Sequence, residues 1–144
     1  MNYYNSNRRD YPGRYFPMPK IIFQLGLNAN EIAILAFLMC IENRKTYECH
    51  PSYATIGESC GMSKNTVRKY VESLIRKGFI STKTTKVTTR NGRTRNGTLR
   101  YMILPIQPLE EEYYQKQLRN AENHALLNKA IKKYGRINFE KVDL

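Results

Sequence analysis

Residues 52–79 read SYATIGESCGMSKNTVRKYVESLIRKGF, and this stretch decides the fold. Gly61 interrupts it. Before the interruption, Ser52 can cap a helix running to about Ser59. After it, Ser63 can cap another, with Met62 and Val67 at the two staple positions around that cap. Val67, Tyr70, Val71, Leu74 and Ile75 then recur at the spacing of one helical face. Gly78 stands where the helix should end in a left-handed residue, with Phe79 and Leu74 placed to touch across the ending. Gly57 lies four residues before Gly61, where the two helices must approach closely and a large side chain would clash. Ile56, Cys60, Met62, Val67 and Tyr70 supply the apolar contacts that lock the pair. Two helices joined by a short glycine-containing turn form a helix-turn-helix, a unit that places its second helix in the major groove of DNA.

The flanking sequence completes a small domain. Upstream, Asn28 and Glu31 make a capping-box-like pair, with Leu27 and Ile32 as its staple. Ile32, Leu35, Ala36, Met39 and Cys40 follow at helical spacing, and Ile34, Phe37, Leu38 and Ile41 make this helix apolar on most sides, as a central core helix should be. Thr46–His50 reads as a short strand or extended link. Downstream, Ile80–Thr89 is rich in Thr and Val, and Leu99, Tyr101 and Ile103 alternate with Arg100 and Met102. Asn91-Gly92 and Asn96-Gly97 are turn signals, so this region reads as a β-hairpin with a long basic tip, ended by Pro105 and Pro108. Residues 109–134 read as one long helix. Glu110, Glu111 and Glu112 suit its N-terminal dipole, Lys132 and Lys133 suit its C-terminus, and Gly135 stops it.

Charge is distributed unevenly. The formal net charge is +12, and residues 63–100 hold eleven basic side chains against the single Glu72. Crowding like charges costs self-repulsion. A polyanion removes that cost and releases counterions on binding. Lys64 sits in the first turn of its helix, where a positive charge opposes the dipole by about 0.3–1 kcal/mol, a penalty that DNA phosphates would reverse. Lys64, Asn65, Thr66 and Arg68 are therefore expected to face the groove, Asn suiting adenine and Lys or Arg suiting guanine. Lys69 and Arg76 are expected on phosphates, and Ser63 can offer its hydroxyl and amide to one. On the hairpin, Lys83, Lys86, Arg90, Arg93, Arg95 and Arg100 mark the arms and tip. Arg93 and Arg95 are the candidates for a narrow minor groove.

Four stretches carry a family resemblance: LNANEI at 27–32, CHPSY at 49–53, GMSKNTV at 61–67 and RKGFI at 76–80. With these, residues 15–106 resemble the winged-helix domains of bacterial mobile-element and plasmid replication-initiator proteins and their small stand-alone relatives. The resemblance implies DNA binding, in replication or in transcriptional control. The expected architecture is α+β and mainly helical: a winged helix-turn-helix, with a three-helix core and a β-hairpin wing, followed by a long C-terminal helix. Its divisions are a flexible basic arm at 1–14, the DNA-binding domain at 15–106, the helix at 107–135 as a dimerisation or partner-docking element, and a tail at 136–144.

Other classes fit less well. The longest strongly apolar run, Ile32–Ile41, is too short for a bilayer, and Met1–Arg14 lacks the apolar region of a signal peptide; a cytoplasmic location is expected, with no membrane partner. Cys40, Cys49 and Cys60 are odd in number and lack Cys-x-x-Cys spacing, so neither a disulfide framework nor a metal site is expected. Cys40 and Cys60 are expected on core faces. His50 and His124 lack a nearby acid–nucleophile arrangement, and no phosphate loop or nucleophile elbow occurs; no enzyme, cofactor or small-molecule ligand is expected. The leading expectation is a transcriptional regulator that binds double-stranded DNA as a homodimer through residues 109–134. The alternatives are a replication or conjugative-transfer accessory protein and an RNA-binding module whose tyrosines stack on bases.

Overall fold

The computed structural model of the chain describes residues 15–135; the arm expected at 1–14 and the tail expected at 136–144 lie outside them. The chain divides after Ile106 into two units. The first described element of unit one is a 3₁₀ turn, Lys20–Gln24, that buries Ile22. There follow α1 (Ala29–Ile41), β1 (Glu48–Cys49), α2 (Tyr53–Cys60), α3 (Lys64–Arg76), β2 (Ile80–Lys83), β3 (Lys86–Thr88), β4 (Thr94–Asn96) and β5 (Arg100–Ile103). Three helices thus precede a hairpin, in the expected α+β order.

The core is built where apolar periodicities meet. α1 buries Ile34, Leu35, Leu38 and Met39, α2 buries Ile56, and α3 buries Val67, Val71 and Leu74. Phe79, Ile80 and Tyr101 close it from the sheet side, Tyr101 being fully buried. Burying a large apolar side chain contributes about 1.5–3 kcal/mol, so this cluster is the main favourable contribution to folding the unit. β5 lies at the centre of a three-stranded antiparallel sheet, with Cys49 opposite Tyr101 on the β1 side and Thr82 opposite Tyr101 on the β2 side.

Three details differ from the sequence-based expectation. Asn28 accepts the Glu31 N–H at 2.9 Å as a cap should, but the Glu31 carboxylate is not spent on the cap. It meets the Lys77 ammonium at 2.8 and 3.0 Å, and the same ammonium donates to the Gly26 carbonyl at 3.0 Å. Glu31 is 2% exposed, and a buried carboxylate is costly unless paired; the cation from the far end of α3 outcompetes the local motif. Cys40, expected on a core face, is exposed, whereas Cys49 is buried and Cys60 half-buried. The helical face of α1 that packs inward is the one carrying Glu31, and Cys40 falls outside it.

The hairpin is the third. It does not run as one ladder but breaks into two: β2 with β5, and β3 with β4 as a separate two-stranded sheet. Asn91-Gly92 makes the turn, with Gly92 at φ +74. Asn96-Gly97, also read as a turn, instead ends β4. Gly97 donates its N–H to the Thr85 carbonyl at 2.7 Å, and a Cβ there would stand 2.6 Å from Thr85 Oγ1 and 2.8 Å from Val87 Cγ2. The two arms touch so closely at this point that a Cβ would force the Thr85 and Val87 side chains aside.

The second unit is α4, Gln107–Tyr134, which runs for 28 residues and buries no side chain. Gly135, at φ +76, donates to the Ile131 carbonyl and ends it. Among the described residues no helix is long and apolar enough to cross a membrane.

Candidate nucleic-acid interface

The α2–α3 pair is fixed by its turn. Gly61 takes the left-handed conformation at φ +70, and the Met62 N–H closes back on the Gly57 carbonyl at 2.9 Å. A Cβ on Gly57 would collide with the Met62 carbonyl oxygen, so the close approach expected from the sequence is present. Ser63 then caps α3, accepting from the Thr66 N–H at 3.3 Å, while its hydroxyl lies 2.9 Å from Thr66 Oγ1. At the other end Phe79 N–H bonds to the Leu74 carbonyl and Gly78 N–H to that of Ile75, both at 3.1 Å. This paired closure with a left-handed glycine is the Schellman ending.

With its apolar face sealed in the core, α3 has one face left. Lys64, Asn65, Arg68, Lys69, Glu72 and Arg76 are all exposed along it. Among the described residues of the first unit, none covers them. Arg68 Nε is 3.3 Å from Glu72 Oε1, and both side chains are more than half exposed; such a pair is weakly held in water. Lys69 Nζ stands 5.4 Å from the Tyr70 ring centroid. Thr66 is half-buried, its hydroxyl drawn into the cap with Ser63.

The basic residues of the hairpin also lie open. Lys83 ends β2, Lys86 lies on β3 and Arg95 on β4, while Arg90 and Arg93 flank the Asn91-Gly92 turn; all are exposed. The turn is tied by Thr89 and Arg93, whose N–H and carbonyl meet at 2.8 Å. Arg100 sits at the base rather than the tip, with Nε 3.8 Å from Glu48 Oε2 on the far side of β5. A cleft of about 590 Å³ separates the wing from the start of α2, with Ser52 and Tyr53 on one side and Arg95 and Asn96 on the other. The sequence offered Ser52 as a cap but gave no sign that it faces the wing, because the two are brought together only by the fold.

The displaced titrations fall on buried or half-buried groups, none of them on the exposed face of α3. Burial, reinforced by the Glu42 charge, pushes the Cys49 thiol up to about 11. Burial likewise raises the Cys60 thiol and the Tyr101 phenol. Burial raises the Glu42 carboxyl, with Arg44 opposing in part. Among the described residues no group of three or more His, Cys, Asp or Glu side chains could hold a metal ion.

Residues 25–80 match the family of helix-turn-helix domains. The chain carries a helix-turn-helix. The matched segment runs from the turn before α1 through the start of β2, so α1, α2 and α3 are its three helices, and the β3–β4 hairpin that follows is its wing. A possible transcriptional regulator from Methanosarcina mazei superposes with a TM-score of 0.50 at 14% identity, covering 81% of this chain and 86% of that one. It shares the fold. The adhesin competence repressor of Streptococcus pyogenes (TM-score 0.38, 14% identity, 79% and 72% covered) and a MarR-family regulator from Silicibacter pomeroyi (0.38, 15%, 83% and 80%) overlap more loosely. No curated protein sequence matches the chain.

Proposed function

We propose that the protein binds double-stranded DNA in a sequence-dependent way and regulates transcription. One observation carries the reading: the helix-turn-helix leaves a cationic, uncovered face on α3. In the proposed complex α3 enters the major groove, with Lys64, Asn65, Thr66 and Arg68 toward base edges and Lys69 and Arg76 toward phosphates. Ser63 offers its hydroxyl to a phosphate. The wing follows the backbone or the minor groove through Lys83, Lys86, Arg90, Arg93 and Arg95, with Arg100 at its base. Arg68 exchanges Glu72 for DNA at little cost, because their exposed pair contributes no more than about 1 kcal/mol.

The working form is a homodimer through α4. Twenty-eight residues of helix with no buried side chain leave apolar surface that a second copy can cover, and two recognition helices would read half-sites about 10 base pairs, or a multiple, apart. Footprinting on genomic fragments tests the function: protected two-fold sites overlapping promoters are expected, and protection confined to an origin of replication would instead favour the replication-accessory role that the initiator resemblance suggests. Light scattering tests the assembly, with a dimer mass expected at micromolar concentration and a monomer, free and on DNA, counting against it.

A further inference from the structure

We propose that two copies of α4 pair in antiparallel orientation, the acidic start of one helix lying along the basic end of the other. The proposal rests on the dimer reading above and adds its direction. At 3.6 residues per turn, Glu111, Tyr114, Leu118, Ala121, Ala125, Asn128 and Lys132 succeed one another at alternating steps of three and four and so share one stripe. That is the spacing of a two-helix seam. Tyr114 and Leu118 are more than half exposed on it, and Ala121 and Ala125 are exposed too.

The stripe is charged only at its ends, and with opposite signs. Glu111 opens it with Glu110 and Glu112 beside it, and Lys132 closes it with Lys129 and Lys133 beside it. In a parallel pair, glutamates would face glutamates and lysines would face lysines, and like charges in contact are unfavourable. An antiparallel pair centred between Ala121 and Glu122 sets Glu111 of each copy opposite Lys132 of the other. The same register sets Leu118 opposite Ala125, a large side chain against a small one, twice. Charge thus selects the orientation, and the register that joins Glu111 to Lys132 also joins Leu118 to Ala125, while setting Tyr114 beside Lys129. The same residues also complement the helix dipole, but the dipole does not require them to lie on the apolar stripe, nor Leu118 to be matched by an alanine seven residues on.

Cross-linking decides it in the full chain. Cys40 is exposed, so Cys40→Ser serves as parent and as the control for the remaining cysteines. Glu111→Cys and Lys132→Cys are added to it singly. Treated with a short bis-maleimide, each variant alone should give no more cross-linked dimer than the parent, because its two thiols lie roughly 30 Å apart along the pair. The mixture, after exchange of subunits, should give the mixed dimer. Glu111→Cys cross-linking to itself would overturn the orientation, as would a dimer by light scattering whose mixture gives no mixed product. A parent that is monomeric by light scattering would overturn the dimer reading itself. A second variant reads the charge directly: Glu111→Lys should weaken dimerisation roughly tenfold at low salt, and Lys132→Glu in the same chain should restore it. In a parallel pair the first change would have no effect, since like would still face like.

Discussion

Single residues fix this protein where the chain passes close to itself. Gly57 is the sharpest case: its missing Cβ is what admits the Met62 carbonyl between α2 and α3. Gly57→Ala should lower stability by about 1–3 kcal/mol and weaken DNA binding with it, as urea unfolding and a duplex titration would show. Lys77 is the second. It is the partner of the nearly buried Glu31 at 2.8 Å, and Lys77→Met leaves that carboxylate in the core unanswered. The ammonium is partly solvated, so the expected loss is about 1–3 kcal/mol rather than the larger cost of breaking a fully buried pair; unchanged stability would mean that Glu31 finds water. The cysteines separate by reactivity. Exposed Cys40 should label with a maleimide in the folded protein at pH 8, while Cys49, buried and with its thiol raised to about 11, should label only on unfolding, as mass spectrometry would show. The sequence spoke clearly at Gly57, Gly61, Ser63 and Gly78, where turn and cap chemistry is local. It misplaced Cys40 and Glu31, because which flank of an all-round apolar helix turns inward, and which distant cation answers a carboxylate, are decided by packing across the domain.

At the scale of elements, α3 and the wing answer to different rules. α3 needed only its own periodicity and caps to be read, and its buried and exposed faces follow from Val67, Val71 and Leu74. Within the proposed complex, Asn65→Ala should relax preference at particular base positions while leaving non-specific affinity nearly intact; a uniform loss across all sequences would remove Asn65 from the base edges. Measured against a library of duplexes, the two outcomes are easily told apart. The wing was legible as a hairpin but not as two ladders, since Asn96-Gly97 carries the same local signature as the true turn at Asn91-Gly92. What distinguishes them is the approach of Thr85 and Val87 across the strands. Gly97→Ala should push the arms apart there and displace the β3–β4 tip, lowering DNA affinity with little change in the core. A full loss of folding would contradict this division of roles.

For the whole molecule, the sequence showed the order of helices and hairpin and the concentration of positive charge, but not the 3₁₀ turn at Lys20–Gln24 or the meeting of the wing with the start of α2. Both depend on contacts between segments distant in the chain. The exposed α3 face and the open basic wing are proposed to clasp one duplex together. The most direct test of this clasp is the salt dependence of binding to a labelled duplex, for the unaltered chain and for Arg93→Ala/Arg95→Ala. If each arginine neutralises a phosphate, the slope of log affinity against log salt should be steep for the unaltered chain and should fall by about two in the variant. Binding to the duplex that is absent at low salt, or a slope that the double substitution leaves unchanged, would contradict it.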